Sequence, residues 1–135
     1  MEFLDTNVIL RFLTKDDPAK ADRCFELFTR VKAKEIVLTT SESVLAEVVY
    51  VLSSKSHYDQ PRENIRRMML PIVGLPGLKI LHRRAFLRAL DIFSTSRVDF
   101  EDALSIAHME RLKVKTIVSY DKDFDGIEGL RRREP

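Results

Sequence analysis

The segment MEFLDTN, residues 1–7, is a short apolar run that stops abruptly on an acid. It predicts a strand over Met1–Leu4 closed by Asp5, with a short helix over Asn7–Leu13. A matching arrangement lies near the other end of the chain. There KTIVS, residues 115–119, reads as a strand that runs into the acidic turn YDKDFDG, residues 120–126. Between the two, strand patterns alternate with helical ones, which predicts a parallel sheet covered on both faces. Ligands of such folds gather at the carboxyl ends of the strands. Asp5 and Asp121 stand directly after the first and last of them.

The intervening elements follow from local signals. Asp16-Asp17-Pro18 starts a helix that runs to about Ala33, since proline suits the first helical position and aspartate its cap. Ala21, Cys24, Phe25, Phe28 and Val31 give that helix its apolar period. EIVLTT, residues 35–40, is a β-branched strand, and a helix from Ser41 or Ser43 runs to about Ser56. After a His57-Tyr58-Asp59 turn, a further helix spans Pro61–Val73, broken by the Gly74–Gly77 segment. Leu78–Leu81 reads as a strand, followed by helices over Arg83–Thr95 and Phe100–Leu112.

A chain of 135 residues that is 44% hydrophobic is long and apolar enough for a packed core, and one domain over residues 1–135 is expected. Its 23 basic and 21 acidic residues leave a formal charge of +2, which excludes a polyanionic or polycationic tail protein. The single cysteine, Cys24, excludes an intramolecular disulfide framework and a multi-cysteine zinc site, and a reducing cytoplasm is the expected location. MEFLD lacks the pattern of a signal peptide, and no run approaches the ~20 apolar residues of a membrane span. Arginines cluster at 62, 66 and 67, at 83, 84 and 88, and at 131–133. Each cluster reads either as a solvated helix face or frayed terminus, or as a contact for a polyanion.

Four acids stand in positions that need explaining. Asp5 opens Asp5-Thr6-Asn7, all good helix caps. Glu47 is the only charge in VLAEVVYVL, residues 44–52, with Val44 and Val51 on its own side of the helix. It is either a functional carboxylate or a glutamate at the edge of the apolar face with a cationic partner. Asp99 caps the helix DFEDALSIAHMERL well, whereas Asp102 shares its side with Ile106 and Met109. Asp121, Asp123 and Asp125 alternate in a turn that lacks the rest of a calcium-loop pattern after Gly126, so an EF-hand is rejected.

In a parallel sheet, Asp5 and Asp121 converge at one edge and Glu47 and Asp102 point toward them. Carboxylates gathered in this way repel one another and must bind protons or cations. Oxygen-only ligands suit magnesium or manganese rather than zinc or copper, and divalent ions serve phosphoryl chemistry. No other catalytic set competes with these acids. Cys24 reads as core, His57, His82 and His108 share no metal-ligand spacing, and there is neither a P-loop nor a dinucleotide fingerprint.

The ordered set of strand-Asp5-Thr6-Asn7, Glu47 in an apolar helix, Asp99-x-x-Asp102 opening a helix, and a strand ending Ser119-Tyr120-Asp121-Lys122-Asp123-Phe124 resembles the PIN domain. It is most similar to the VapC-type toxin ribonucleases of toxin–antitoxin pairs, over essentially the whole chain. The resemblance implies a three-layer α/β/α sandwich around a central parallel sheet of four to five short strands. Asp5, Glu47, Asp102 and Asp121 match the family's catalytic and metal-holding acids. Thr6, Asn7, Asp99, Ser119 and Asp123 match supporting positions, with Ser119 standing where the family often has threonine. Tyr58–Leu78 is a departure, in a region where family members vary widely.

What the resemblance implies is an endoribonuclease that uses one or two magnesium or manganese ions per site. Cleavage would leave a 5′-phosphate and a 3′-hydroxyl, and Arg83, Arg84 and Arg88 are the candidate RNA contacts. A homodimer and a cognate antitoxin are expected on resemblance alone. Three alternatives stay open: a non-catalytic RNA-binding PIN domain, a PIN nuclease of RNA maturation, and a receiver domain. The receiver is disfavoured because only a single acid follows the first strand and no lysine directly follows the last.

Overall fold

Pro18 stands at the start of its helix and Asp17 caps it, accepting a hydrogen bond from the Lys20 N–H at 3.2 Å. Ser41 caps the helix that follows the second strand through the Val44 N–H, also at 3.2 Å. These local signals set where each element begins in the computed structural model, which describes residues 1–135. In chain order the elements are β1 (Glu2–Phe3), α1 (Thr6–Thr14), α2 (Pro18–Lys32), β2 (Leu38–Thr40), α3 (Glu42–Ser53) and α4 (Arg62–Val73). β3 (Leu78–Ile80), α5 (Arg83–Thr95), α6 (Phe100–Leu112), β4 (Thr116–Val118), a 3-10 turn (Lys122–Phe124) and β5 (Arg131–Arg133) complete the chain. The result is an α/β fold whose strand pairs are all parallel. It divides into two compact units, Met1–Arg83 and Arg84–Pro135.

In the first unit β2 is the central strand of three, in the order β1-β2-β3. Glu2 stands opposite Leu38, and Thr40 opposite Ile80. The buried Thr40 hydroxyl donates to the Leu4 carbonyl at 2.8 Å and so ties the ends of β1 and β2 together. Ile9, Val31, Leu45, Val48, Val49, Leu52, Ile65 and Met69 are fully enclosed, each contributing about 1.5–3 kcal/mol on burial. Between α1 and α2, the Phe12 ring meets Phe28 edge-on at 4.8 Å and stacks on Phe25 at 6.4 Å. Phe25 nevertheless remains 63% exposed, so of the apolar positions in this helix's period it is one that does not enter the core. Helical spacing puts it one position beyond Cys24, on the outer edge of the apolar stripe.

Two polar devices hold this unit's connections. Asp16 accepts from Arg11 and from the Tyr58 hydroxyl, both at 2.8 Å, linking the α1–α2 corner to the turn after α3. Together these donors hold the Asp16 carboxyl below its ordinary range, the Tyr58 hydroxyl being the larger cause. Gly77 packs so closely that an added Cβ would lie 2.4 Å from the Val31 carbonyl oxygen and 2.6 Å from that of Ile36. Only glycine fits there.

In the second unit Phe100, the first residue of α6, packs its ring against Phe86 at 5.1 Å and Phe93 at 5.6 Å. Ala103, Ile106 and Ala107 continue the buried stripe of α6. β4 pairs with β5, Ile117 opposite Arg132. The 131–133 arginine cluster is therefore neither a helix face nor a frayed end, which corrects that reading. Strand pairing uses backbone groups that arginine supplies as well as valine does, and context overrides propensity. The Arg132 guanidinium is neutralised in place by Asp125 at 2.8 Å and Glu134 at 3.2 Å, and it also donates to the Ser119 carbonyl at 3.0 Å.

Candidate acidic site

The first unit presents Asp5 and Glu47. Asp5 occupies the N-cap position of α1 with extended backbone, yet its side chain makes no capping hydrogen bond. The cap reading thus accounts for the residue's place and leaves its exposed carboxylate unused. Glu47 is also exposed, on the outer side of α3, with no cationic partner. What it does have is the Thr6 hydroxyl, which donates to its Oε2 at 2.9 Å across 41 positions of sequence. Thr6 is itself buried, so this bond fixes one carboxylate oxygen of Glu47 relative to the start of α1. Asn7 follows on α1 with an exposed amide.

The second unit gathers the other acids. Asp99 caps α6 by accepting from the Asp102 N–H at 2.8 Å, and Asp102 lies in the first helical turn. After β4, the Ser119 hydroxyl accepts from the Asp121 N–H at 2.9 Å, and the Asp121 carboxylate accepts from the Asp123 N–H at 2.9 Å. Gly126, at φ +81°, then reverses the chain in a conformation that suits glycine. Burial raises the Asp102 carboxyl to about 6, with the charges of Asp99, Asp121, Asp123 and Glu101 adding to the rise. Asp125 is withdrawn from this group by its pairing with Arg132, and its carboxyl is held below the ordinary range.

These donors fit a hard divalent cation. All are oxygens, and the charge that burdens Asp102 comes from other carboxylates with no arginine or lysine paired to it. In neither unit do three or more such side chains form a ready-made cage. The Asp99, Asp102, Asp121 and Asp123 carboxylates are instead clustered and uncompensated, an arrangement that lowers its energy by taking up a cation or a proton.

The three candidate RNA arginines have different surroundings. Arg83 donates to the carbonyls of Leu75 and Leu78, so its guanidinium fastens the loop before β3. Arg88 forms a two-pronged pair with Glu110, at 2.8 and 3.1 Å. Arg84 alone is exposed with its charge unmatched. Sequence reading missed a basic cavity of about 330 Å³ in the first unit, lined by Asn7, Val8, Arg11, Lys20, Arg23 and Cys24. Its signal is present in the spacing: Asn7 and Arg11 are one turn apart on α1, as are Lys20, Arg23 and Cys24 on α2.

The PIN domain family matches residues 3–130, and the chain belongs to that family. Members of the family are generally nucleases. Among solved structures, the crystal structure of Mycobacterium tuberculosis VapC20, a Sarcin-Ricin loop cleaving toxin, aligns at 18% identity over 95% of both chains, with a TM-score of 0.40. A search of curated proteins gave no match. No helix is long and apolar enough to cross a membrane.

Proposed function

We propose that the chain, acting as one domain, is a magnesium- or manganese-dependent endoribonuclease, the toxin of a VapBC-type pair. The observation that carries this reading is the uncompensated carboxylate cluster around Asp102 in a chain of the PIN family. Asp5, Glu47, Asp102 and Asp121 would hold one or two ions. Bound there, a divalent ion neutralises phosphate charge and makes an attacking water more acidic. Glu47, with one oxygen accepting from Thr6, would use the other either to reach an ion or to orient that water and take its proton. Asp99 and Asp123 raise the negative field at Asp102, and Ser119 holds the backbone at Asp121 in place. Arg83, Arg84 and Arg88 are the phosphate contacts of this reading, Arg84 with the free charge. A cognate antitoxin, a homodimer and a cytoplasmic location complete the proposal.

The test is cleavage of a mixed structured RNA pool with magnesium, manganese or EDTA, for wild type beside Asp5→Asn. Metal-dependent cutting that yields 5′-phosphate ends and disappears in the variant is the expected result. Equal cutting by both proteins, or none by either with no effect of metal on thermal stability, overturns the nuclease and leaves an RNA-binding domain.

A further inference from the structure

We propose that the basic groove between α1 and α2, centred on Arg23, is a subsite for a nucleotide of single-stranded RNA, its phosphate held by Arg23 and its nucleoside lying along Val8 and Cys24. This inference rests on the ribonuclease reading and adds where the strand runs beside the acids. The groove is built from two helical turns that face each other. α1 supplies Asn7, Val8 and Arg11, and α2 supplies Lys20, Arg23 and Cys24, around about 330 Å³ of open space. The Phe12 contacts with Phe25 and Phe28 fix the spacing of the two helices. The groove is therefore a preformed feature of packed helices.

Its charges are not equivalent. Arg11 is bound to Asp16 at 2.8 Å, and Lys20 is loosely paired with Asp17 at 3.9 Å. Arg23 is exposed and has no acid within ion-pairing distance. A guanidinium left free beside two partly neutralised cations is suited to one phosphate, which its fork can grip through two oxygens. The remaining lining completes a nucleotide's needs. Val8 and Cys24 offer an apolar wall for a flat face, and the Asn7 amide offers a donor and an acceptor for a base edge or ribose hydroxyl. An acidic peptide would need several free cations in a row, and only one is present.

Position links the groove to the chemistry. Asn7 is two residues beyond Asp5, and Arg11 is one turn further on, about 6 Å along the helix axis. A strand entering the groove would thus pass the Asp5-Thr6-Asn7 corner.

The test uses the full chain and a fluorescein-labelled 20-nucleotide oligouridylate in EDTA, so that nothing is cut, with anisotropy read across a range of KCl concentrations. Arg23→Gln is expected to weaken binding on the order of five-fold at low salt and to lower the salt slope by about 0.7, with thermal stability unchanged. Arg67→Gln, which also removes one exposed charge, from α4, is expected to change neither. Identical behaviour of the two variants overturns the subsite, as does wild type that binds no RNA. So does an Arg23→Gln protein that loses affinity for a glutamate-rich peptide while keeping it for RNA. The nuclease reading is judged separately. Wild type that cuts RNA while Arg23→Gln binds normally removes only the subsite, and wild type that binds through Arg23 without metal-dependent cutting removes only the nuclease.

Discussion

Replacing Asp102 by asparagine should make the metal-free protein more stable while destroying its response to metal. The Asp102 carboxyl rises from 3.8 to about 6, first because it is buried and then because Asp99, Asp121, Asp123 and Glu101 surround it with like charge. For an acid with a raised folded value, the folded state binds the proton more tightly than the unfolded one. Stability is therefore fully present below pH 3.8, falls as the pH climbs toward 6, and stays at its lower level above. At about 1.4 kcal/mol per pH unit the loss is ~3 kcal/mol at face value. The side chain is only partly enclosed, so solvent screening reduces this to ~1–2 kcal/mol. Asparagine keeps the shape and removes the ionisation. In EDTA at pH 7.5 the melting temperature of Asp102→Asn should exceed wild type by about 3–8 °C. At pH 4 the difference should nearly vanish. Millimolar magnesium should raise the melting temperature of wild type, closing or reversing the gap, and leave the variant unmoved. A variant no more stable than wild type in EDTA, or a gain that persists unchanged at pH 4, would refute the account of mutual repulsion.

Two further substitutions test the supports of the acids. Thr6→Val keeps the buried shape and removes the hydroxyl that Glu47 accepts. It should cost about 1 kcal/mol in urea unfolding and lower RNA cleavage, and Thr6→Ser should restore both. Gly77→Ala places a methyl group against the carbonyls of Val31 and Ile36 and should destabilise by about 1–3 kcal/mol or more. Chemical denaturation that found this variant as stable as wild type would show that the contact relaxes freely.

The helices were readable because their signals are local. Arg83–Thr95 and Phe100–Leu112 coincide with the sequence prediction, and Asp17-Pro18 marks the start of α2 and Asp99 that of α6 by capping chemistry that acts within one turn. Strands were longer in the sequence than in the structure. Glu35–Val37 has the pattern of β2 but turns back to α2, with Glu35 and Ile36 both donating to the Arg30 carbonyl. β5 was invisible, because three arginines carry no strand signal and their pairing depends on β4. The acids themselves stood out in the sequence as charges misplaced in apolar patterns or at strand ends. Their surroundings did not: the Thr6 bond to Glu47 spans 41 positions, and the Arg132 claim on Asp125 spans 7 through a strand that the pattern hides. The groove around Arg23 was hidden for a similar reason, since its two halves become neighbours only once Phe12 packs on Phe28.

β5 ends at Arg133, two residues short of Pro135, and it is the only partner of β4. Losing the last five residues would therefore strip β4 of its backbone bonds and release Asp125, while Ser119 would lose both the Arg132 contact on its carbonyl and the Arg133 carbonyl that its own N–H reaches. The turn carrying Asp121 would be loosened from behind with Asp121 and Asp123 themselves unaltered.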